Sequence, residues 1–142
     1  MSAFQVLLVG DNPDDVDLTQ EALADADIET ELTVAEDGVE ALEKLRPAGG
    51  RPGEGAPDLI LLDLNLPRKN GFQVLDEIKA DPDLKRIPVV VLTTSDELRD
   101  VAAAYDAHAN AYVVKPIDLD EFTQAVRRVV EFWAQIAQLP PA

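Results

Sequence analysis

The sequence contains no cysteine and few basic residues. Without cysteine, the chain can form neither a disulfide framework nor a thiolate metal site. The 12 Lys and Arg residues are outnumbered by 28 Asp and Glu residues, which gives a formal net charge of −16. Because nucleic acids and anionic membranes are bound through clustered lysine and arginine, this charge argues against both as partners.

Long apolar runs are also missing from the sequence. No stretch approaches the roughly 20 apolar residues of a membrane span. The first residues, Met1 to Phe4, lack the basic segment and the apolar core of a signal peptide. We therefore expect a cytoplasmic protein, with residues 1–142 folded as one domain around a single core.

The strongest structural signal lies near the middle of the chain, in residues 57–67. Residues 59–62 (Leu-Ile-Leu-Leu) are apolar without alternation, which is typical of a strand buried on both faces of a parallel sheet. Asp63 follows at once, then Asn65, and Pro67 ends the segment. Ligands bind beyond the carboxyl ends of strands in open α/β sheets, so Asp63 lies where chemistry is expected. The simpler alternative is that Asp63 only caps a turn.

Strand-like and helix-like segments alternate along the whole chain. Predicted strands cover residues 4–9, 31–35, 59–62, 89–92 and 111–114, and predicted helices cover about 13–25, 38–45, 73–80, 96–107 and 118–138. This alternation predicts an α/β fold, a (βα)5 doubly wound, flavodoxin-like parallel sheet with strand order 2-1-3-4-5. Residues 46–57 are rich in glycine and proline and predict a flexible surface loop.

Short polar side chains mark where the helices should begin. Asn12, followed by a proline, is expected to cap the first helix, and Asp15 is one of several acids that favour the positive end of its dipole. Ser95 or Asp96 is expected to cap the fourth helix, and Asp118 the last.

Polar residues follow four of the predicted strands. Because parallel strands carry their carboxyl ends to one edge, Asp11, Asp63, Asn65, Thr93 and Lys115 are expected together. Carboxylate and carbonyl oxygens suit Mg²⁺, while a lysine and a threonine hydroxyl can stabilise phosphoryl oxygens. The set fits a site at which an aspartate accepts a phosphoryl group. Taken singly, Asp11 could be a plain loop residue, Thr93 a plain strand residue and Lys115 a solvated lysine.

These residues lie within segments that resemble a response-regulator receiver domain over essentially the whole chain. The matching segments are Leu7–Asn12, Leu61–Pro67, Gly71-Phe72, Val91–Ser95 and Tyr112–Pro116. The motifs Leu-Pro-Arg-Lys-Asn-Gly and Leu-Thr-Thr-Ser and the long final helix are similar to those of the single-domain, CheY-like regulators that pair with bacterial phytochromes.

The resemblance implies a phosphoacceptor that works in a two-component phosphorelay. Asp63 would accept a phosphoryl group from a sensor histidine kinase. A bacterial phytochrome is one candidate for this kinase. Asp11, Asp63 and the backbone carbonyl of Asn65 would bind Mg²⁺, and Lys115 and Thr93 would contact the phosphoryl oxygens. Self-phosphorylation and autodephosphorylation are the only chemistry implied, so the chain is not expected to be an enzyme, and its output would be protein contact.

Two further positions match the family at the same edge. Tyr112 matches the aromatic switch residue, which turns inward together with Thr93 on activation. The alternative is that Tyr112 is an ordinary strand aromatic at the surface. The bond between Lys115 and Pro116 matches a peptide bond that is usually cis in this family.

One position departs from the family pattern. Two adjacent acids usually follow the first strand, but here Gly10 precedes Asp11, which puts the metal affinity in doubt. A pseudo-receiver scaffold that works without phosphorylation therefore remains an alternative. An aspartyl-nucleophile phosphohydrolase is a weaker one, because Asn65 cannot serve as its general acid. A flavodoxin-like cofactor binder is a third, although the acids after the first strand would repel a phosphate.

The last predicted helix carries a wide apolar stripe. Part of this stripe, with Val130, Trp133 and Ile136 as candidates, is expected to pack on a second copy of the chain in a homodimer. The alternative is that the helix folds back entirely onto its own core.

Overall fold

The computed structural model describes residues 3–46 and 56–140. The elements are β1 (Phe4–Val9), α1 (Pro13–Ala24), β2 (Thr30–Ala35), α2 (Gly38–Leu45), β3 (Leu59–Leu62), α3 (Gly71–Ala80), β4 (Val89–Thr93), α4 (Leu98–Asp106), β5 (Ala111–Val114) and α5 (Leu119–Glu131), followed by a π-helical turn (Phe132–Ile136). The segment predicted to be a flexible loop, residues 46–57, lies outside the described residues except at its two ends.

The strands form one parallel sheet in the order β2-β1-β3-β4-β5. The predicted doubly wound α/β fold and its strand order are therefore confirmed. In the register of the sheet, Leu62 of β3 pairs with Val9 on one side and with Val91 on the other. The carboxyl ends of the three central strands consequently lie side by side, and the residues that follow them share one edge.

The central strand is buried on both of its faces. Leu59 and Leu61 pack with α1 and α5 on one face, while Ile60 and Leu62 pack with α2, α3 and α4 on the other. All four side chains are essentially inaccessible to solvent. The unbroken apolar run is thus explained by two apolar layers, and it fixes the position of Asp63 at the end of the strand.

Two of the helix starts follow the predicted capping residues. Asn12 caps α1, where its Oδ1 accepts hydrogen bonds from the backbone N–H of Asp14 at 2.9 Å and of Asp15 at 3.3 Å. Asp118 caps α5 by accepting from the backbone N–H of Glu121 at 3.0 Å. These bonds satisfy N–H groups that have no partner within a helix.

The starts of α3 and α4 differ from the prediction, whereas α2 begins at Gly38 as predicted. α3 begins at Gly71, because Asn70 and Gln73 form a reciprocal capping box just before the predicted start. α4 begins at Leu98 after Glu97, and no side chain caps it, so the expectation that Ser95 or Asp96 would do so is wrong. Ser95 Oγ instead donates a hydrogen bond to Asp100 Oδ2 at 2.6 Å, within the first turn of α4.

The C-terminal helix is shorter than predicted. α5 ends at Glu131, and a single π-helical turn follows instead of regular helix to residue 138. Val130 is 0% exposed within the core of its own chain, which corrects its proposed place in a dimer interface. Trp133 packs partly against the same core, whereas Ile136 is 76% exposed.

Among the residues that the structure describes, no helix is both long enough and apolar enough to cross a membrane.

Candidate functional site

Asp63 lies at the carboxyl end of β3, with both carboxylate oxygens engaged. Oδ1 accepts a hydrogen bond from the backbone N–H of Asn65 at 3.0 Å and faces Thr93 Oγ1 at 3.4 Å. Oδ2 accepts from Lys115 Nζ at 2.9 Å. The side chain is only 12% exposed. The structure thus brings the predicted acceptor, lysine and threonine together at one point.

Lys115 holds a second carboxylate that the sequence did not assign to the site. Its Nζ lies 2.5 Å from Asp15 Oδ2, in the first turn of α1, as well as 2.9 Å from Asp63. Burial alone would lower the pKa of Lys115, but the hydrogen bonds and charges of the two carboxylates outweigh it and raise the pKa above its ordinary value. The ammonium is therefore firmly protonated while it bridges both acids.

The position of Asp15 in its helix could have pointed to this contact. With Asn12 as the N-cap, Asp15 is the third helical residue, and its backbone N–H is tied to the Asn12 side chain. The first turn of α1 begins directly above the end of β1, so an acid there faces the same edge as Asp63. The sequence alone explained Asp15 only as an acid that favours the helix dipole.

Tyr112 is half-buried and packs against the core layer of α2, α3 and α4. Its hydroxyl donates a hydrogen bond to the backbone carbonyl of Ser95 at 2.8 Å, in the segment that leads from β4 to α4. Burial raises the pKa of Tyr112, and the nearby acids Asp100 and Asp96 raise it further. Tyr112 is thus linked to the segment that follows Thr93. Thr93 is the residue with which Tyr112 was predicted to form the switch.

The predicted metal ligands occupy neighbouring strand ends. Asp11 follows β1, Asp63 follows β3, and the two strands are hydrogen-bonded partners, with Asp63 N–H donating to the Val9 carbonyl at 3.0 Å. In the part of the chain that the structure describes, no group of three or more acidic, histidine or cysteine side chains could hold a metal. Two carboxylates and the Asn65 carbonyl fit Mg²⁺, which takes few protein ligands and keeps several waters.

Gly10 leaves open space beside Asp63. A Cβ built at Gly10 would meet the Asp63 Cβ at 3.8 Å, which is an ordinary contact. Gly10, Asn12 and Asp15 line a small cavity together with Asp63 and Lys115. The packing therefore does not require glycine at this position, and its effect on the site is the absence of an acid.

The loop after Asp63 is fixed by close backbone packing. A Cβ at Gly71 would lie 2.4 Å from the Asp63 carbonyl oxygen, so only glycine lets α3 begin this close to the acceptor. Arg68 has a positive φ of 63° and makes a two-pronged salt bridge to Asp37, the N-cap of α2. The loop that carries Asn65 is thus held against α3 at one end and α2 at the other.

The peptide bond between Lys115 and Pro116 is trans, as is every peptide bond of the described residues. The cis isomer expected from the family resemblance is therefore not what the structure contains. The Lys115 N–H donates to the Thr93 carbonyl at 2.7 Å, which extends the pairing of β4 with β5 by one residue. From this position the lysine reaches Asp63 with the isomer that proline bonds ordinarily prefer.

Residues 6–127 match the family of the response regulator receiver domain. The chain belongs to this family. Response regulator Rcp1 of Synechocystis sp. is 46% identical to the receiver domain over 137 residues, which are 96% of this chain and 93% of Rcp1.

Solved structures agree with this assignment. The phosphorylated cyanobacterial phytochrome response regulator RcpA is 46% identical, with a TM-score of 0.90 over 99% of the receiver domain and 100% of RcpA. The Mn²⁺-bound form of Rcp1 is 45% identical, with a TM-score of 0.86 over 96% of this chain and 99% of the other. The receiver domain is thus a signalling protein whose relatives include single-domain regulators of its own length.

Proposed function

We propose that Asp63 of this receiver domain accepts a phosphoryl group from the phosphohistidine of a sensor kinase. The observation that carries the proposal is the convergence of Lys115 and Thr93 on the two oxygens of one largely buried carboxylate at the end of the central strand. A cation and a hydroxyl in these places can bind the oxygens of a transferred phosphoryl group.

The proposed reaction moves the phosphoryl group from a nitrogen of the donor to an oxygen of Asp63. A carboxylate oxygen of Asp63 attacks phosphorus, the new O–P bond forms, and the donor's N–P bond breaks with its electron pair leaving on the histidine nitrogen. Lys115 and the Thr93 hydroxyl then donate hydrogen bonds to the phosphoryl oxygens. Mg²⁺, held by Asp11, Asp63 and the Asn65 carbonyl, would supply positive charge against which the anionic groups approach one another.

We further propose that the kinase is a phytochrome. The similarity to RcpA, a phytochrome response regulator, and to the bacteriophytochrome response regulators AtBRR and RtBRR at 40% and 39% identity supports this choice. Transfer from a phosphorylated phytochrome kinase should be faster than transfer from an unrelated histidine kinase of equal phosphorylation. Equal rates from both donors would contradict the pairing.

We also propose a homodimer built on the exposed end of the C-terminal helix. Phe132 and Ile136 of the π-helical turn are 46% and 76% exposed. Exposed apolar side chains of this size on one helix are typical of an interface. The interface would use Ile136 and the outer side of Trp133, since Val130 is occupied by the core.

The phosphoacceptor proposal is tested with a small donor. We expect acetyl phosphate and Mg²⁺ to add one phosphoryl group to the wild-type chain, as measured by intact mass, and to add none to Asp63→Asn. The matched control is Asp58→Asn, which removes a carboxylate at the opposite end of the same strand. Modification of Asp63→Asn to the same extent as wild type would overturn the proposal.

One feature supports a scaffold that works without phosphorylation instead. Gly10 leaves the metal with one acid fewer than the family pattern provides. A wild-type chain that stays unmodified by both acetyl phosphate and a phosphorylated kinase, yet binds that kinase, would favour the scaffold.

A further inference from the structure

Lys115 is shared by two carboxylates in the unphosphorylated chain. The distances from its Nζ are 2.5 Å to Asp15 Oδ2 and 2.9 Å to Asp63 Oδ2. The side chains of Lys115 and Asp15 are only 11% and 19% exposed, so solvent screens this contact much less than an ion pair on the surface. Asp15 thus competes with Asp63 for the cation that must serve the phosphoryl group.

The charges that line the cavity beside Asp63 disfavour a bound anion. Asp15, Asp63 and Lys115 line it together with Gly10 and otherwise uncharged side chains. Within the described part of the chain, Lys115 is the only cation among its lining residues. Two carboxylates against one ammonium leave the cavity negative before a phosphoryl group adds up to about two further negative charges.

We propose that Asp15 is a positioning residue that opposes the phosphorylated state. Its carboxylate holds Lys115 while Asp63 is unmodified, and it repels the phosphoryl group once this is attached. The inference rests on the proposed transfer to Asp63, and it assigns to Asp15 the regulation of that same site. Phosphorylation must therefore weaken a buried ion pair, and the phosphoryl group is bound less tightly than its two direct partners would allow.

The opposite role for Asp15 is also chemically reasonable and predicts the opposite result. If Asp15 served only to aim Lys115 at the phosphoryl oxygens, its removal would leave the ammonium less well placed and binding would weaken. The variant Asp15→Asn separates the two roles, because its side-chain oxygen can still accept a hydrogen bond from Lys115 while the negative charge is removed.

The test measures binding of beryllofluoride, which mimics a phosphoryl group on an aspartate, by calorimetry at saturating Mg²⁺. We expect Asp15→Asn to lower the Kd for beryllofluoride by about 3- to 10-fold, because repulsion falls and Lys115 is released from a charged competitor. The matched control is Asp14→Asn, which removes an exposed carboxylate from the same helical turn without a contact to Lys115. Its Kd should stay within about 2-fold of wild type.

Mg²⁺ binding in the absence of beryllofluoride separates a charge effect from a structural one. Removing a carboxylate near the metal site should leave Mg²⁺ affinity unchanged or weaker, while beryllofluoride affinity rises. A fold loosened by the substitution would weaken both. If Asp15→Asn does not fold, as judged by circular dichroism, Asp15→Ser is measured in its place with the same expected result.

Each result of these measurements either supports or overturns the inference about Asp15. Equal or weaker beryllofluoride binding by the folded Asp15 variant would overturn the inference, as would an equal gain in Asp14→Asn. Beryllofluoride binding by wild type that is lost in Asp63→Asn establishes the acceptor site independently of Asp15. A wild-type chain that does not bind beryllofluoride at all would overturn the phosphoacceptor proposal and this inference with it.

Discussion

The backbone at Gly10 has room for a side chain. The nearest atom to a built Cβ is the Asp63 Cβ at 3.8 Å, and the glycine lines the same cavity as Asp15 and Asp63. An acid at this position would reach the edge at which Asp11 and Asp63 lie. The packing at Gly10 therefore leaves room for an acid, and this chain has none at that position.

We expect Gly10→Glu to tighten Mg²⁺ binding several-fold, as measured by calorimetric titration. A second carboxylate beside Asp11 would add about 1 to 2 kcal/mol if it acts through a bridging water. The control is Gly10→Ala, which adds the Cβ without the charge and should bind Mg²⁺ as wild type does. Equal or weaker binding by Gly10→Glu would show that Asp11, Asp63 and the Asn65 carbonyl already form a complete site.

Lys79 is a partly buried cation at the opposite edge of the sheet. Its Nζ donates hydrogen bonds to the carbonyls of Lys85 and Ile87 at 3.0 and 2.9 Å and to Asn110 Oδ1 at 3.0 Å. Burial lowers the pKa of Lys79 to about 8, from 10.5 in the unfolded chain. Between these two values the unfolded chain holds the proton that the folded chain has released, so the free energy of unfolding should rise with pH.

This dependence on pH is tested with Lys79→Met. Between pH 7 and pH 10, the free energy of unfolding of wild type relative to the variant should rise by about 1 to 3 kcal/mol, measured by urea denaturation. Staying below pH 10 keeps the titrations of Tyr112 and Lys115 out of the comparison, because the pKa of each is raised above 10. A constant difference across this range would contradict a lowered pKa for Lys79.

Residues of the site could be predicted from the sequence only where they lie at the end of a predicted strand. Asp63, Thr93 and Lys115 lie at the carboxyl ends of strands whose order the sequence determines, so their meeting follows from the topology. Asp15 lies on a helix, and its contact with Lys115 depends on the angle at which α1 leaves β1. That angle is set by the packing of α1 against α5. No short stretch of the sequence shows how these two helices pack.

At the scale of the elements, the loop from β3 to α3 is tied by an ion pair to the N-cap of α2. Arg68 is held at a positive φ, which is uncommon outside glycine, and its guanidinium makes two hydrogen bonds to Asp37 at 2.9 and 2.8 Å. The backbone N–H of Glu40, and then the Arg68 guanidinium, lower the pKa of Asp37 below its ordinary value of 3.8. The N-cap of α2 thereby stabilises the loop that carries Asn65.

We expect Asp37→Asn to lower the urea midpoint at pH 7, because asparagine can still cap α2 but cannot form the charged fork with Arg68. An acid with a lowered pKa adds stability above pH 3.8 that is lost as the pH falls through the folded-state pKa. The gap between wild type and variant should therefore close below about pH 3.8.

The control for this effect is Asp25→Asn at the end of α1, where the acid makes no side-chain hydrogen bond that the structure describes. Its difference from wild type should be small. A gap for Asp37→Asn that persists unchanged into acid would contradict the role of the charged fork.

Element boundaries were less predictable than element types. The start of α3 depends on a reciprocal bond between Asn70 and Gln73, and the closeness of Gly71 to Asp63 makes that start possible. The end of α5 passes into a π-helical turn around Phe132 and Trp133, whose rings meet edge to face at 5.4 Å. The start of α3 arises from side-chain-to-backbone hydrogen bonds and a close backbone approach, and the π-helical turn is a local change in backbone hydrogen bonding, so the periodic pattern of apolar residues revealed neither.

For the whole molecule, the alternation of strands and helices was sufficient to predict the sheet. Parallel strands joined by right-handed crossovers allow few topologies, and continuous apolar runs in β3 and β4 place those strands inside the sheet. The residues available to the proposed dimer were harder to predict, because the apolar stripe of α5 serves the core first. Only the structure separates Val130, which is buried, from Ile136, which is exposed.

The proposed dimer is tested by sedimentation at micromolar concentration. We expect Ile136→Asp to lower the dimer fraction relative to wild type, because the added charge would be desolvated in the interface. The control is Gln20→Asp on α1, which adds the same charge to an exposed position away from the C-terminal turn. A wild-type chain that is monomeric both with and without phosphorylation would rule out the dimer.

Mapping the phosphorylated residue tests the central claim most directly. The chain is treated with acetyl phosphate and Mg²⁺, the acyl phosphate is reduced with borohydride to a stable homoserine, and the peptides are sequenced by mass spectrometry. Because Asp63 is, among the described residues, the acid that both Lys115 and Thr93 contact, we expect homoserine at residue 63 and at no other acid. Homoserine at Asp11, Asp14 or Asp15 in place of Asp63 would contradict this assignment.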